Sequence, residues 1–335
     1  MEPHTPAAAA RQSRPLNQSI ILIGLIIVIC VVTAIVNPRF LRVQNLINIF
    51  QQVSILGIVA CGIGMLLVAG QIDISVGTQI SFMGVMLSMI VQKMMGLPDG
   101  AVPAWQAAWA IPTAILVTFA VGLAMGAING LTVIYSRAAS FIITLGFSTA
   151  YHGAALLLSG GASYMMFGKF EWLGRGRVLG VLPISILFFL GMVAITFIVL
   201  RYFRYGRFLY AIGGNKKAAF VSGIATNRVT LIAYLVVGAC NALAALILIS
   251  RVGSALATTG DSYALDALAS VIVGGVALSG GRGSALSMFL GVLLIGLITN
   301  ALIIMNVNPY IRDVVIGLII VAAVSVSELT GQQRA

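Results

Sequence analysis

The acidic residue Asp73 lies in the stretch GQIDISVG (residues 70–77), between two long apolar runs. The chain has only eight acidic residues among 335, and the flanking runs 43–72 and 74–92 carry no charge. A charge near the centre of a bilayer costs about 2.5–3.5 kcal/mol on insertion scales. Gly70 can end one helix while Asp73 or Ser75 accepts backbone N–H groups at the start of the next. Alternatively, the Asp73 carboxylate can line a pathway, and the two interpretations are compatible.

A second stretch, GGNKKAAFVSGI (residues 213–224), predicts a short basic helix. Asn215 is suited to its N-cap, residues 216–222 give about two turns, and Gly223 would end it. An isolated helix shorter than about 12 residues is marginal in water, so this one needs a surface to lie on. Its small face (Ala218, Ala219, Ser222) would fit a groove on a partner. The alternative is a basic loop that touches lipid headgroups.

Polar side chains inside the apolar runs can join helices or line a route for a polar, uncharged solute. These residues are Asn129, Thr144, Asn241, Thr299 and Asn300. Asp266, with Asp261, flanks the sequence SYAL, where an external vestibule is expected. Gly122, Gly126 and Gly130 recur at intervals of four and predict a face for close helix packing. The gate or pathway candidates are therefore Asp73, Ser75, Asn129, Thr144, Asn241, Asp266 and Asn300.

Several kinds of chemistry lack their sequence motifs. No phosphate-binding loop of the form GxxxxGK[ST], no HExxH and no GxSxG is present. The three cysteines lie in apolar runs without metal-ligand spacing, so no metal site is expected. Within the spans, no Lys or Arg is expected to pair with a carboxylate, as ion-coupled carriers often require.

The composition indicates that most of the chain lies in a lipid bilayer. It is 60% hydrophobic and 8% charged, with mean hydropathy +1.09, whereas soluble domains carry about 25% charged residues. The charge-free runs are long enough for helices of about 20 residues and do not alternate as spanning strands would. The sequence predicts an all-α, polytopic membrane bundle of about ten transmembrane helices. Their ranges are 20–36, 46–69, 74–95, 106–134, 139–159, 182–201, 228–250, 264–279, 284–305 and 311–328.

Basic residues set the expected orientation. The segment 201–228 carries six basic residues and no acidic one, which places it in the cytoplasm. With ten helices, both termini are then cytoplasmic. The net charge of +11 is interpreted as this topology signal, with no nucleic acid as a partner. The predicted organisation is a disordered arm (1–18), a membrane domain (19–329) and a tail (330–335).

Five stretches, taken in this order, resemble the permease subunit of monosaccharide ABC importers, the ribose-type branch of the binding-protein-dependent transport components. The similarity covers nearly the whole chain after the N-terminal arm. The stretches are GQIDISVG, FIITLGFSTAYHGAALLLSGG, YAIGGNKKAAFVSGI, GDSYALDALASVIVGGVALSGGRGS and NPYIRDVVIGLIIVAAV.

The resemblance implies a division of labour in the bacterial inner membrane. A periplasmic protein would capture the sugar, and two permeases, identical or different, would form the channel. Separate ATPase subunits would hold ATP and Mg²⁺, so this chain would need no cofactor and would not be an enzyme. The loop 201–228 would be the ATPase-coupling loop. Its matching residues are Gly213, Gly214, Asn215, Ala218, Ala219, Ser222 and Gly223, with Lys216 and Lys217 between them.

The chain departs from the family pattern at three places. Gln71 stands where Gly is usual, which adds bulk beside Asp73. Lys216 and Lys217 stand where an acidic residue is frequent, so the matching ATPase surface should be more acidic. Ala264 replaces the usual Glu, while Asp266 remains. A secondary carrier working alone, for a polar uncharged solute, is the alternative function, and no motif favours a structural or enzymatic membrane protein.

Overall fold

The computed structural model describes residues 16–98, 100 and 102–332. This part of the chain forms thirteen α-helices, one 3₁₀ turn at Pro38–Leu41 and four two-residue strands. The helices are α1 Leu16–Val36, α2 Val43–Val68, α3 Val76–Met95, α4 Ala104–Ser136, α5 Ser140–Ser159, α6 Trp172–Arg175, α7 Ile184–Tyr202, α8 Arg204–Gly214, α9 Lys216–Val221, α10 Thr226–Val252, α11 Tyr263–Gly274, α12 Ala285–Ile304 and α13 Pro309–Gln332. The strands are β1 Tyr164–Met165, β2 Arg177–Val178, β3 Leu182–Pro183 and β4 Ser254–Ala255, paired antiparallel as β1 with β4 and β2 with β3.

The predicted all-α membrane bundle is confirmed in its class. Seven helices are long and apolar enough to cross a membrane, namely α1, α2, α4, α5, α7, α10 and α12. A helix also lies at each of the other three predicted ranges: α3, with several buried polar side chains, α11, with only twelve residues, and α13.

Two helices extend past the predicted boundaries of the membrane domain. α1 begins at Leu16, inside the predicted arm 1–18, with the polar residues 17–19 in its first turn. Residues 1–15 lie outside the described part of the chain. At the other end, α13 continues to Gln332 and so enters the predicted tail, whose residues 333–335 are also not described.

The centre of the bundle is α2, packed against α10. Of the apolar window of α2, 94% is buried, against 11% for α1 and α5, so α2 is surrounded by protein and the other two lie at the periphery. Gly122, Gly126 and Gly130 of α4 all face α10. A Cβ atom on Gly122 would lie 2.6 Å from the carbonyl oxygen of Gly238, so the two backbones touch there. Small residues allow this approach where lipid provides no hydrophobic drive for helix association.

Two non-helical segments reach the middle of the bundle. Residues 71–74 run from the end of α2 to the start of α3, and residues 256–262 run from β4 to the start of α11. The second segment contacts the first turn of α3, directly after the first segment: a Cβ on Gly77 would lie 2.6 Å from the Gly260 oxygen. The Gly260 N–H also donates to Ser81 Oγ at 2.8 Å. Irregular backbone at this depth is tolerated because it is buried in protein or lines a cavity.

A junction of glycines joins three segments at the end of α2. Gly213 of α8 lies so close to the carbonyl of Val68 that a Cβ atom there would overlap it. The N–H of Gly281 donates to the same Val68 oxygen at 2.9 Å. A Cβ on Gly280 would lie 2.8 Å from the Cα of Gly70. We call this contact of Gly70, Gly213, Gly280 and Gly281 the glycine junction. It connects the α2–α3 turn, α8 and the α11–α12 loop.

Candidate functional site

The carboxylate of Asp73 is held by its own turn. Asp73 is 2% exposed, and Oδ1 accepts the backbone N–H of Ser75 at 2.8 Å and its hydroxyl at 2.6 Å. Ser75 occupies the N-cap position of α3 but makes no side-chain capping bond there. The capping interpretation therefore holds for the turn that precedes α3, which Asp73 closes, rather than for the first turn of the helix itself.

Three amide side chains extend the site across the bundle. Asn129 of α4 donates to Asp73 Oδ2 at 3.1 Å and to Ser75 Oγ at 2.8 Å. Gln79 of α3 donates to Ser75 Oγ at 2.8 Å and accepts from Asn241 of α10 at 2.9 Å. We call these five residues the Asp73 network. Together they tie the turn to three helices.

Helix α5 closes the site from its other side. Its Tyr151 hydroxyl donates to Asn129 Oδ1 at 2.9 Å. Thr144 Oγ1 accepts the backbone N–H of Ile74 at 3.2 Å, and Ser140 Oγ accepts that of Ile72 at 3.1 Å. The extended backbone of residues 72–74 thus finds its partners on α5 instead of in a helix or sheet.

The network contains one carboxylate and only neutral hydrogen-bond donors. A buried charge is costly unless hydrogen bonds compensate, and a carboxylate that accepts several of them is stabilised in its charged form. All five network residues are buried, while Asn241 Oδ1 has no partner in the described structure. These hydrogen bonds hold the turn against α4, α5 and α10, and they account for the buried carboxylate without a bound ion. Among the described residues, no group of three His, Cys, Asp or Glu side chains could hold a metal.

Two of the sequence candidates lie elsewhere. Asn300 of α12 exchanges two 3.0 Å hydrogen bonds with Asn45 of α2, which joins those helices. Asp266 of α11 forms a 2.5 Å ion pair with Arg312 of α13. The expectation that no cation would pair with a carboxylate in the spans is therefore wrong, because Arg312 is 46 positions away in sequence and reaches Asp266 only through the packing of α13 on α11. Ala264, where the family favours Glu, is also buried.

The coupling-loop residues lie on α8, on α9 and at their ends. Asn215 caps α9 as predicted, accepting the N–H of Ala218 at 2.9 Å, and Gly223 ends it with φ of +83°. The small face is only partly available: Ala218 and Ser222 are exposed, but Ala219 is 4% exposed and packs against the chain. The side chains that α9 presents instead are Phe220, 68% exposed, and Val221, 85% exposed.

A cleft separates this segment from the Asp73 turn. It has a volume of about 410 Å³ and is lined by Gly70, Gln71, Arg137, Ser140 and Lys216, among others. Gln71, which departs from the family pattern, therefore lies at the wall of the cleft rather than inside the Asp73 network. All six basic residues of 201–228 are exposed.

Comparison with known proteins decides the family. The family model described as "branched-chain amino acid transport system / permease component" matches residues 45–324. The chain belongs to this family of transport permeases. Ribose import permease protein RbsC of Bacillus subtilis (strain 168) is 38% identical over 306 residues, which cover 90% of each chain. RbsC of Escherichia coli (strain K12) is 33% identical over 311 residues, 91% of this chain and 92% of the relative.

A third relative differs in the substrate that its name prints. Galactose/methyl galactoside import permease protein MglC of Escherichia coli (strain K12) is 33% identical over 318 residues, 91% of this permease and 94% of the relative. No solved structure matches the permease. Family membership makes this chain a transport subunit, so the Asp73 network lies inside a protein that moves a solute.

Sequence reasoning missed Gln79 in the network and Tyr151 beside it. It also missed Phe220 and Val221 on α9. Gln79 carried a signal, since it is a polar residue in a charge-free run two positions after Gly77. Tyr151 carried none, because it meets Asn129 through the packing of α5 on α4. Phe220 is an aromatic residue in a basic segment, and only the burial of Ala219 decides that it faces outward.

Proposed function

We propose that this permease is the membrane subunit of an ATP-driven importer for a monosaccharide or a related polyol. A periplasmic binding protein would deliver the solute, and separate ATPase subunits would bind ATP and Mg²⁺. The permease would reside in the bacterial inner membrane with ten spans, which include α3, α11 and α13, and with both termini in the cytoplasm. The ribose and galactose importers among its relatives support the sugar as substrate.

The observation that carries the proposal is the backbone contact between the coupling loop and the Asp73 turn. Gly213, in the last turn of α8, lies against the Val68 carbonyl. The segment 71–74, which holds Asp73, begins three residues after Val68. An ATPase that seats on α9 would grip the exposed Phe220 and Val221 and face the cations of Lys216 and Lys217. Closure of the ATPase subunits would move α8. Because the backbones touch at the glycine junction, the turn that holds Asp73 would move together with α8.

The second wall of the channel would come from a second permease. In the single chain, α5 is as little covered as α1, and it is the helix that holds the Asp73 turn. An identical copy is the simpler arrangement, and pairing with a different permease would be seen as unequal subunits in the purified complex.

A secondary carrier remains the second candidate because of the Asp266–Arg312 pair. Carriers use such pairs in the membrane to exchange a proton or ion. In this permease the two side chains are largely covered, with 24% of the Arg312 side chain and 11% of the Asp266 side chain exposed. An ion-driven mechanism would require this pair to open to water during each cycle.

Reconstitution separates the two functions. The permease is inserted in vesicles with its cognate ATPase and binding protein, and uptake of radiolabelled ribose and galactose is measured. We expect uptake only when ATP is present on the side of the membrane that carries the ATPase and the binding protein is present on the opposite side. Dissipating the ion gradients should leave this uptake unchanged. Uptake by the permease alone, driven by a proton or sodium gradient, would contradict the proposal.

A further inference from the structure

The carboxylate of Asp261 lies at mid-depth in the bundle. Asn241 lies fifteen residues after the start of α10 and eleven before its end, about 22 and 16 Å at 1.5 Å per residue. It donates to Gln79 on the first turn of α3. The same turn carries Gly77, whose Cβ would lie 3.1 Å from the Asp261 carbonyl oxygen. Asp261 is therefore at the level of the middle of α10.

Asp261 has no partner at this depth within the described part of the chain. Its side chain is exposed, and across the described residues it accepts no hydrogen bond and joins neither of the two ion pairs. A free carboxylate cannot face hydrocarbon, and ionisable side chains in membrane segments almost always face the bundle interior or a water-filled cavity. The exposed side of Asp261 therefore faces a water-filled cavity or the interior of the assembled transporter.

Helix α5 adds polar groups to the same surface. Thr78, next to Gly77, donates to Ser148 Oγ of α5 at 3.4 Å, so α5 and Asp261 flank the same turn of α3. Thr149 is exposed beside Ser148, and His152 lies one turn further along α5. His152 follows Ser148 by four residues and therefore lies on the same face of α5. His152 is half-buried at the edge of this surface.

We propose that Asp261, Thr149 and His152 line the route of the solute at mid-membrane and hydrogen-bond to its hydroxyl groups. This inference rests on the proposed function and narrows its substrate class. The free charge on this surface is negative, which repels the carboxylate of an amino acid and accepts hydrogen bonds from hydroxyls. It therefore favours an uncharged polyol over the branched-chain amino acids in the description of the family.

The accessibility of cysteines tests the surface without any transport. Thr149→Cys and Asp261→Cys are made with Cys30, Cys61 and Cys240 replaced by Ala, in the complex with its ATPase. Leu123→Cys is the control, since Leu123 is 42% exposed on α4 next to Gly122, which packs on the middle of α10. Open membrane fragments are treated with a charged methanethiosulfonate reagent. Because the thiolate is the reactive form and forms only where water enters, we expect Thr149→Cys and Asp261→Cys to react about tenfold faster or more than Leu123→Cys. Equal rates would overturn the inference.

Measurements of solute uptake test the proposed hydrogen bonds between Asp261 and the solute. Asp261→Asn keeps an acceptor, so we expect uptake within about threefold of wild type, whereas Asp261→Leu should lower it about tenfold, the value of a lost hydrogen bond to a charged group. Equal uptake by Asp261→Leu and wild type would overturn the contact with the solute. If wild type shows no ATP-driven uptake, the proposed function fails, while the cysteine rates still decide whether the surface is wet. If wild type transports but both cysteines stay unmodified, only this inference fails.

Discussion

At the scale of single residues, Asp73 is a structural charge. Its two carboxylate oxygens are surrounded by donors from Ser75, Asn129 and Gln79, and it has almost no exposed surface. Asp261, in contrast, is exposed and pairs with none of the described residues. The two acids therefore have two roles that the sequence could not distinguish. Substitution of an acid that holds a turn should lower the stability of the protein. Substitution of an acid that contacts the solute should lower the rate of transport.

Asp73→Ala should therefore destabilise the permease. It leaves the backbone N–H and the hydroxyl of Ser75 without their acceptor, and Asn129 keeps only its bond to Ser75 Oγ. The loss of these hydrogen bonds to a charged group costs about 3 kcal/mol. Asp73→Asn keeps an acceptor for Ser75 but turns an NH₂ group toward the donor of Asn129, so we expect an intermediate effect. The midpoint of thermal unfolding in detergent measures both, with Asp313→Asn, at an exposed acid, as the control. An unchanged midpoint for Asp73→Ala would refute the locking role, and full recovery by Asn would show that the charge itself is dispensable.

The residues of the site were predictable only in part. Asp73, Asn129 and Asn241 stood out because a polar side chain in a charge-free run needs a partner. Which partner it has depends on contacts between helices that are far apart in sequence, such as 56 positions from Asp73 to Asn129 and 162 from Gln79 to Asn241. The pair of Asp266 with Arg312 was missed for the same reason.

At the scale of elements, the glycine junction decides how α8 meets α2. Gly213 and Gly214 are neighbours with opposite surroundings: a Cβ on Gly213 would overlap the Val68 carbonyl, whereas a Cβ on Gly214 would meet nothing within 4 Å. The sequence predicted the capped helix α9 from Asn215 and Gly223, since capping is local. It could not predict the junction, because three separate segments have to meet there.

Gly213→Ala should uncouple the permease, because its methyl group forces α8 away from the end of α2. We expect ATP hydrolysis to continue in the complex while uptake falls about tenfold or more, which corresponds to at least 1.4 kcal/mol of lost coupling. Gly214→Ala, which adds the same methyl group one position later, is the matched control and should transport normally. Similar losses for both variants would mean that the segment tolerates no substitution and that the junction has no special role.

The exposed end of α9 supplies a second test at this scale. Replacing Phe220 and Val221 by Ser removes apolar surface that an ATPase would bury, so we expect less ATPase to copurify with the permease. Val181→Ser provides the control, because Val181 is 63% exposed in the β2–β3 hairpin and is also aliphatic. If ATPase recovery is unchanged for the double variant, the docking surface lies elsewhere on 201–228.

At the scale of the whole molecule, the two ends of the described bundle differ in charge and structure. One end holds the glycine junction, the cleft and all six basic residues of 201–228, and the other end holds the two short β-ladders. Long charge-free runs made the helical class predictable, since only a helix satisfies its own backbone in lipid. The non-helical segments 71–74 and 256–262 were not predictable as a pair, because their backbones find partners on α5 and α3.

The last prediction concerns which side of the membrane each of these two ends faces. A cysteine at Ser222, which is exposed on the coupling loop, should react with an impermeant reagent only in inside-out vesicles, because the positive charge of its segment keeps it in the cytoplasm. A cysteine at Val181 should react only in intact cells whose outer membrane is permeabilised, since α7 lies between the two positions and crosses once. Both are made without the native cysteines. If Ser222→Cys reacts from outside, an ATPase cannot reach α9 and the coupling mechanism is lost. If both cysteines react from the same side, α7 does not cross the membrane, and the count of ten spans fails with it.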